Sequence, residues 1–359
     1  LGVPEEALRH EQAALELAIA NDDRQDQSTI YKNLATINRT QKKYETALAQ
    51  LEQAARLDSS LNSRRGMAYN LRNLAALHLD RQETAAAKAL AHDALRVSIE
   101  LQDLRNQAQS SLVLAKAWRA LGAADSCSHY LEQAFTIAER ALMPEIAWRA
   151  LQERAQLSLD EKNSAQAVES LFQAIGIIES MRSRIKVEDH SAGFMDDKLY
   201  VYDQLVVLLL DQNRYTEAWQ VTERARSRRF LDLLGNRRVR LGRSQDNRLL
   251  VRKDSLQSLL QQAESELVFQ MSQTDSVPAG VRADAETRVR SLRADLSDLL
   301  RAMAAHNPQL ADLVQVAPPE VAQVQKALSD RTAMLIYHQM KERLIVFYVD
   351  SARSEAHTS

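Results

Sequence analysis

The feature that most constrains this chain of 359 residues is a sequence period of 40. Small residues recur at that interval in three series, each at its own position within the repeating unit. The series are Ala7, Ala47, Ala87, Cys127 and Ala167; Ala14, Ala54, Ala94, Ala134 and Ala174; and Ala35, Ala75, Ala115 and Ala155. A fixed period of this length is typical of repeat proteins, in which each unit packs against its neighbours. We therefore predict a stack of similar units.

Within each unit, the spacing of the small residues indicates two antiparallel helices. Ala35 precedes Ala47 by 12 positions, and Ala54 follows Ala47 by 7. Small side chains let two helices approach closely, and the leucines at Leu34 and Leu74 supply bulk beside the contact. The chain has only 8 glycines and 6 prolines, and helix-favouring residues dominate. The sequence therefore predicts an all-α fold of the α-solenoid type.

The last unit follows a longer interval than the others. Ala218 and Ala225 repeat the 7-residue step, and the polar stretch 186–198 is where we place the insertion. Predicted repeat units lie near 1–20, 26–60, 66–100, 106–140, 146–182 and 198–235, and together they form a domain of residues 1–243. Residues 1–20 supply only the second helix of a unit, so we expect the chain to begin within a repeat.

Two further segments follow the repeats. Residues 246–271 and 281–306 each carry a single apolar stripe, which predicts an antiparallel helical hairpin over 244–307. Residues 308–359 contain a short helix opened by proline and two β-rich runs, TAMLIYHQ and LIVFYVD, around a polar turn. These runs predict a short C-terminal β-hairpin. Because an isolated hairpin is marginally stable, we expect its sheet to continue beyond Ser359.

The repeat pattern resembles the tetratricopeptide repeat (TPR). The residues at its signature positions in the first complete unit are Tyr31, Leu34, Ala35, Ala47, Leu51 and Ala54. The usual length of this repeat is about 34 residues, so a 40-residue unit implies longer helices. The resemblance implies an extended surface on the first helices of the units that binds a protein or peptide.

The order of the segments resembles that of bacterial TPR-CHAT proteins, in which TPR repeats precede a caspase- and separase-like cysteine peptidase domain. The stretches that carry this resemblance are AWQVTERARSRRFLDLL, RSRIKVEDHSAGFMDDKLYVYDQLVVLLL and AMLIYHQMKERLIVFYVD. It implies that residues 308–359 are the start of a CHAT domain and that the catalytic histidine and cysteine follow this hairpin. The chain would then be the regulatory part of a peptidase, with no catalytic residue of its own.

Candidate ligand-binding residues lie on the first helices of the units. Lys32 and Asn33 recur one period later as Arg72 and Asn73. An asparagine amide can both donate to and accept from a peptide backbone, and an adjacent cation favours an acidic side chain or a C-terminal carboxylate. Three further cations, Arg39, Lys116 and Arg119, extend the same track. The alternative is that these are ordinary solvated positions, and the pattern fades in later units.

The sequence offers little evidence for catalysis or cofactors. Cys127 lies near His129, but it occupies the small-residue position of its unit, which favours a buried packing thiol. The histidines show no metal-ligand spacing, so we expect no metal and no cofactor. The longest apolar run, 205–210, is far shorter than the ~18 residues of a membrane span. A single cysteine fits a reducing compartment, and we expect a cytoplasmic location.

A cluster of arginines ends the repeat region. Between Arg224 and Arg243 there are eight arginines and one acid, whereas the chain as a whole has a net charge of −2. Such a patch suggests nucleic acid, but Phe230 is its only aromatic residue and no reading motif accompanies it. We therefore favour an interface with an acidic surface for Arg224, Arg228 and Arg229. Two alternative functions are a non-enzymatic peptide sensor and a nucleic-acid sensor that uses residues 224–243. The chain could also form an oligomer.

Overall fold

The computed structural model describes residues 4–183, 198–234, 279–306, 321–340 and 343–358, with a few further positions between 248 and 263. The chain divides into two compact units, Leu1–Ile177 and Ile178–Ser359. The first unit is a succession of helices, of which the first eight have 17 residues each and the ninth has 20. They are α1 (Pro4–Ala20), α2 (Arg24–Thr40), α3 (Tyr44–Ser60), α4 (Arg64–Asp80), α5 (Thr84–Glu100), α6 (Leu104–Ala120), α7 (Ala124–Arg140), α8 (Pro144–Asp160) and α9 (Ser164–Ser183), the last of which crosses the division between the units.

The same short turn follows each helix from α1 to α8. Its middle residue has a positive φ, as at Asp22 and Gly122, and the N–H after it donates to a carbonyl five residues earlier, as from Asp23 to Ala18 at 2.9 Å. This is the Schellman ending, which satisfies the last carbonyls of a helix. The ending recurs every 20 residues, so one 40-residue unit is two helices and two turns.

The small residues lie where the helices touch, as predicted. From Ala35 onward, the residues of all three series are at most 2% exposed. The bulky residues between them, such as Leu51 and Leu131, are also buried. Each helix from α1 to α7 contacts the next one in the chain, and α2, α4, α6 and α8 also contact one another in order. These four helices form one layer, which we call the inner-helix layer. The predicted tetratricopeptide-type solenoid is therefore confirmed.

The junction of the first two repeats contains a buried carboxylate. Asp58 on α3 is fully buried, and its Oδ1 accepts a 2.5 Å hydrogen bond from the Ser28 hydroxyl. The Lys32 ammonium pairs with its Oδ2 at 3.0 Å. Gly66 on α4 leaves room for this group, since a Cβ there would lie 2.3 Å from Asp58 Oδ1. The buried Lys32–Asp58 ion pair therefore requires glycine at position 66.

The second unit contains the last helix pair and the strands. Its elements are α10 (Leu199–Asp211), α11 (Tyr215–Leu234), α12 (Ala279–His306), α13 (Val321–Ala327), β1 (Ala333–Gln339), β2 (Leu344–Asp350) and β3 (Ser354–Thr358). Ala218 and Ala225 are buried, as the repeat pattern predicts. Leu249 and Leu256 pack with Leu299 and Met303 of α12, in agreement with the proposed hairpin, although most of its first segment lies outside the described residues.

The strands form one antiparallel sheet in the order β1-β2-β3. The predicted hairpin is confirmed, and the third strand, SEAHT, was not expected because it is short and polar. One face of the sheet is buried through Ile345, Phe347 and Val349. The Phe347 ring meets the Trp219 ring of α11 edge-on at 5.8 Å. The sheet is thus seated on the last helix pair.

The contact at Gly66 predicts opposite effects of two glycine substitutions. Gly66→Ala should lower the free energy of unfolding by about 1–3 kcal/mol, because the new methyl group displaces the Asp58 carboxylate from its buried partners. Gly176→Ala, also in a helix, meets nothing within 4 Å and should raise it by about 0.5–1 kcal/mol through helix propensity. Urea unfolding followed by circular dichroism measures both. Equal effects of the two substitutions would contradict the assignment.

Candidate peptide-binding surface

The seven candidate ligand-binding residues all lie on α2, α4 and α6 of the inner-helix layer. Their side chains fall into three groups by what they contact. Lys32 is 9% exposed and its ammonium is held by Asp58. Its environment is that of a packing residue, which differs from the exposed position that its place in the sequence suggested.

Three of the other cations join neighbouring repeats. Arg39 on α2 pairs with Asp80 on α4 at 2.6 Å, and Arg119 on α6 pairs with Asp160 on α8 at 3.2 Å. The Lys116 ammonium lies 3.0 Å from Glu153 on α8, a carboxylate that is only 8% exposed. The two exposed pairs, Arg39–Asp80 and Arg119–Asp160, contribute little to stability. Their geometry nevertheless fixes where each positive charge lies along the layer.

The sequence contained a signal for these ion pairs that was missed. Arg39 and Asp80 are 41 positions apart, and so are Arg119 and Asp160, so that the same pair recurs after two units. The cations and amides on the first helices do not by themselves reveal these acidic partners, which lie at a different position of the next repeat. A basic residue on one helix and an acidic residue 41 positions later, one period plus one residue, predict an ion pair between adjacent repeats.

The two asparagines differ in their surroundings. The Asn33 amide donates to Glu11 on α1 at 3.1 Å, and this contact is exposed to solvent. Asn73 is half-buried, and its Oδ1 accepts a 2.9 Å hydrogen bond from Arg72. Each asparagine therefore retains amide groups that can bond a peptide backbone.

Arg72 has the most unusual environment of the seven residues. Its Nη1 donates to Asn106 Oδ1 at 2.8 Å and to Gln109 Oε1, and its Nη2 donates to Asn73. The guanidinium also lies 4.8 Å from the centre of the Tyr69 ring. Burial lowers the pKa of the Arg72 guanidinium to about 10, so it remains charged at neutral pH.

The arginine cluster at the end of the repeats is described only in part. Arg224 is half-buried, and the exposed Arg226 pairs with Glu223 of the same helix at 3.1 Å. The side chains of Arg228 and Arg229 and the whole of 235–247 lie outside the described residues. The proposed interface role of Arg224, Arg228 and Arg229 stays a prediction.

Cys127 is a packing residue, as its register predicted. It is 1% exposed and lies in a cluster that includes Leu112, Leu131 and Ala134. Burial raises the pKa of its thiol to about 11, which keeps it protonated and unreactive at neutral pH. Over the described part of the chain, no group of three or more His, Cys, Asp or Glu side chains could hold a metal ion. Nor does any described helix combine the length and apolar character needed to cross a bilayer.

Comparison with known proteins supports the repeat assignment. A family model described as tetratricopeptide repeat matches residues 1–60. The repeated helix pairs, their buried small residues and this match define a tetratricopeptide-type scaffold. No curated protein sequence matches the chain significantly.

Several solved structures are similar to the chain at low sequence identity. BtubC (BKLC) from P. vanneervenii is 16% identical with a TM-score of 0.48, over 68% of this chain and 97% of that one. The apo form of RapI is 12% identical with a TM-score of 0.43, over 77% and 99%. A Rap protein complexed with competence and sporulation factor is 15% identical with a TM-score of 0.48, over 81% and 72%.

The burial of Cys127 predicts a thiol that reacts only after unfolding. At pH 7.5 the native protein should resist modification by iodoacetamide, because the thiol is both protonated and inaccessible. In 8 M urea the same protein should take up one equivalent, since Cys127 is the only cysteine. Mass spectrometry of the intact chain distinguishes the two results. Rapid modification of the native protein would show that the thiol is accessible.

Proposed function

We propose that this chain is a scaffold that binds a protein or peptide partner along its inner-helix layer. One observation carries the proposal: Asn33 and Asn73, in successive repeats, present partly exposed amides beside charged groups at the same position of the repeating unit. Amides repeated along a helix layer suit an extended backbone, which offers donors and acceptors at regular intervals. Lys32 is assigned to packing, while Arg39, Lys116 and Arg119 set the charge pattern of the surface.

The amide pair gives a direct test of this surface. Asn33→Ala combined with Asn73→Ala should weaken the binding of peptides selected from a random library by about thirtyfold, because each lost hydrogen bond costs about 1 kcal/mol. The matched control is Gln53→Ala on α3, an exposed amide on the second helix of its pair. Fluorescence anisotropy with labelled peptides gives the affinities. Unchanged binding by the double variant would place the ligand elsewhere.

We further infer that the scaffold is the regulatory and partner-recognition part of a CHAT cysteine peptidase. The support is the resemblance of the segments around 182–234 and 333–350, in the order expected for such a protein. The contacts of the sheet with the last helix pair suit this role. His338 on β1 lies 2.9 Å from Asp203 on α10, and Phe347 packs on Trp219 of α11. A change at the last repeat would thus reach the start of the peptidase domain directly.

The peptidase proposal makes two checkable statements. The sequence that follows Ser359 in the gene should encode a β-rich domain with a histidine and a cysteine. The present chain should cleave no casein or peptide substrate, because its single thiol is buried and protonated. Proteolysis that is abolished by Cys127→Ala would overturn the assignment. A gene without those downstream residues would instead leave a non-enzymatic peptide sensor.

A further inference from the structure

Arg72 differs from the other candidate cations in what compensates its charge. Lys32, Arg39, Lys116 and Arg119 each pair with a carboxylate of the chain. The hydrogen-bond partners of Arg72 among the described residues are three neutral amides. A guanidinium has five N–H donors, so these three bonds leave two unused. A partly buried charge without an opposite charge is costly, and a ligand can supply the missing partner.

The repeat register shows where the missing carboxylate should be. In the first repeat the cation is Lys32, its carboxylate is Asp58 and the facing residue is Gly66. One period later the same three positions hold Arg72, Ser98 and Asn106. The Asn106 amide donates to the Ser98 hydroxyl at 2.6 Å, so this neutral pair occupies the place of the carboxylate.

In the third repeat the same positions hold Leu112, Ala138 and Ile146, which are all buried and apolar. The three repeats thus have a paired charge, a charge without its carboxylate, and no charge. All three arrangements occur in the same fold, and only the one around Arg72 has a charge without a carboxylate partner.

The charged neighbours of Arg72 do not replace a direct partner. Asp103 attracts its guanidinium, and Arg39 and Arg105 oppose that attraction more weakly. However, the Asp103 carboxylate already pairs with Arg65 at 3.2 Å and caps α6 by accepting from the Asn106 N–H at 3.1 Å. Arg72 is partly exposed, and an anion that bonded its guanidinium directly would form the charge pair that Asp103 does not form.

We propose that Arg72 is the subsite for an acidic side chain of the bound peptide, with Asn73 and Gln109 beside it. This inference rests on the proposed peptide-binding function. An aspartate or glutamate carboxylate would accept hydrogen bonds from the two unused guanidinium N–H groups. It would also supply the negative charge that Asp58 provides in the first repeat and that Ser98 lacks in the second. Charge-assisted hydrogen bonds of this kind are about twice as strong as neutral ones. The subsite thus requires an acid at one position of an otherwise variable peptide.

A positional-scanning library of acetylated, C-terminally amidated decapeptides tests this subsite with the intact chain. For one position, pools with Asp or Glu should bind about tenfold more tightly than pools with Asn or Gln. A second library with free C-termini and no acidic residue separates a side-chain carboxylate from a terminal one. A preference for the free terminus over the acidic side chain would overturn the proposal. So would the absence of any acidic preference in the wild-type protein.

Three variants assign the preference to Arg72. Arg72→Leu copies the apolar third repeat at Leu112, and Ser98→Asp with Asn106→Gly copies the carboxylate arrangement of the first. Both should lose the acidic preference, the second because Arg72 then has an internal partner. Arg96→Gln on α5, whose cation is exposed and already pairs with acids of its own helix, should keep it. Retention of the preference in Arg72→Leu would overturn the assignment.

These outcomes separate this inference from the function on which it rests. If no pool binds the wild-type protein, the peptide-binding proposal fails and the subsite fails with it. If neutral pools bind and lose affinity in the Asn33 and Asn73 variant, the binding surface stands and only the acidic subsite is wrong. The wild-type library alone decides between these cases, so the result does not depend on the folding of a variant.

Discussion

The close contact between helices at small side chains is the constraint on which the repeat unit depends. Alanine or cysteine at three positions of each unit from 26–60 to 146–182 brings the helix backbones together, and a larger residue at those positions would separate the pair. The recurring Schellman turn then returns the chain after each helix. Because the turn recurs every 20 residues and the small residues every 40, successive helix pairs stack and their first helices form one layer.

Close packing leaves the polar groups between repeats with little access to water, and the chain handles them in more than one way. Asp58 is buried because Lys32 and Ser28 supply its partners and Gly66 supplies the space. Elsewhere the equivalent site is apolar or neutral. A buried ion pair and a well-packed apolar cluster can have similar stability, so these solutions are interchangeable for folding. They are not interchangeable for binding, since they place charge at different points of the inner-helix layer.

The C-terminal unit shows how a repeat array can be continued by a different architecture. The last pair, α10 and α11, keeps the buried alanines of the repeats but receives a β-sheet through Phe347 and Trp219. The hydrogen bond between His338 and Asp203 adds a polar contact at the same junction. An aromatic anchor with a polar contact beside it is enough to seat a small sheet that would be marginal alone.

The sequence by itself determined the repeat, the pairing of helices, the burial of Cys127 and the positions of β1 and β2, because each follows from a local period or alternation. It did not reveal β3, whose short polar stretch has no such pattern. Nor did it separate Lys32 from Arg72, which occupy the same position of successive repeats. Only the tertiary structure decided that one cation is buried on a carboxylate and the other among amides, because their partners, Asp58 and Asn106, lie on neighbouring helices about 30 positions away.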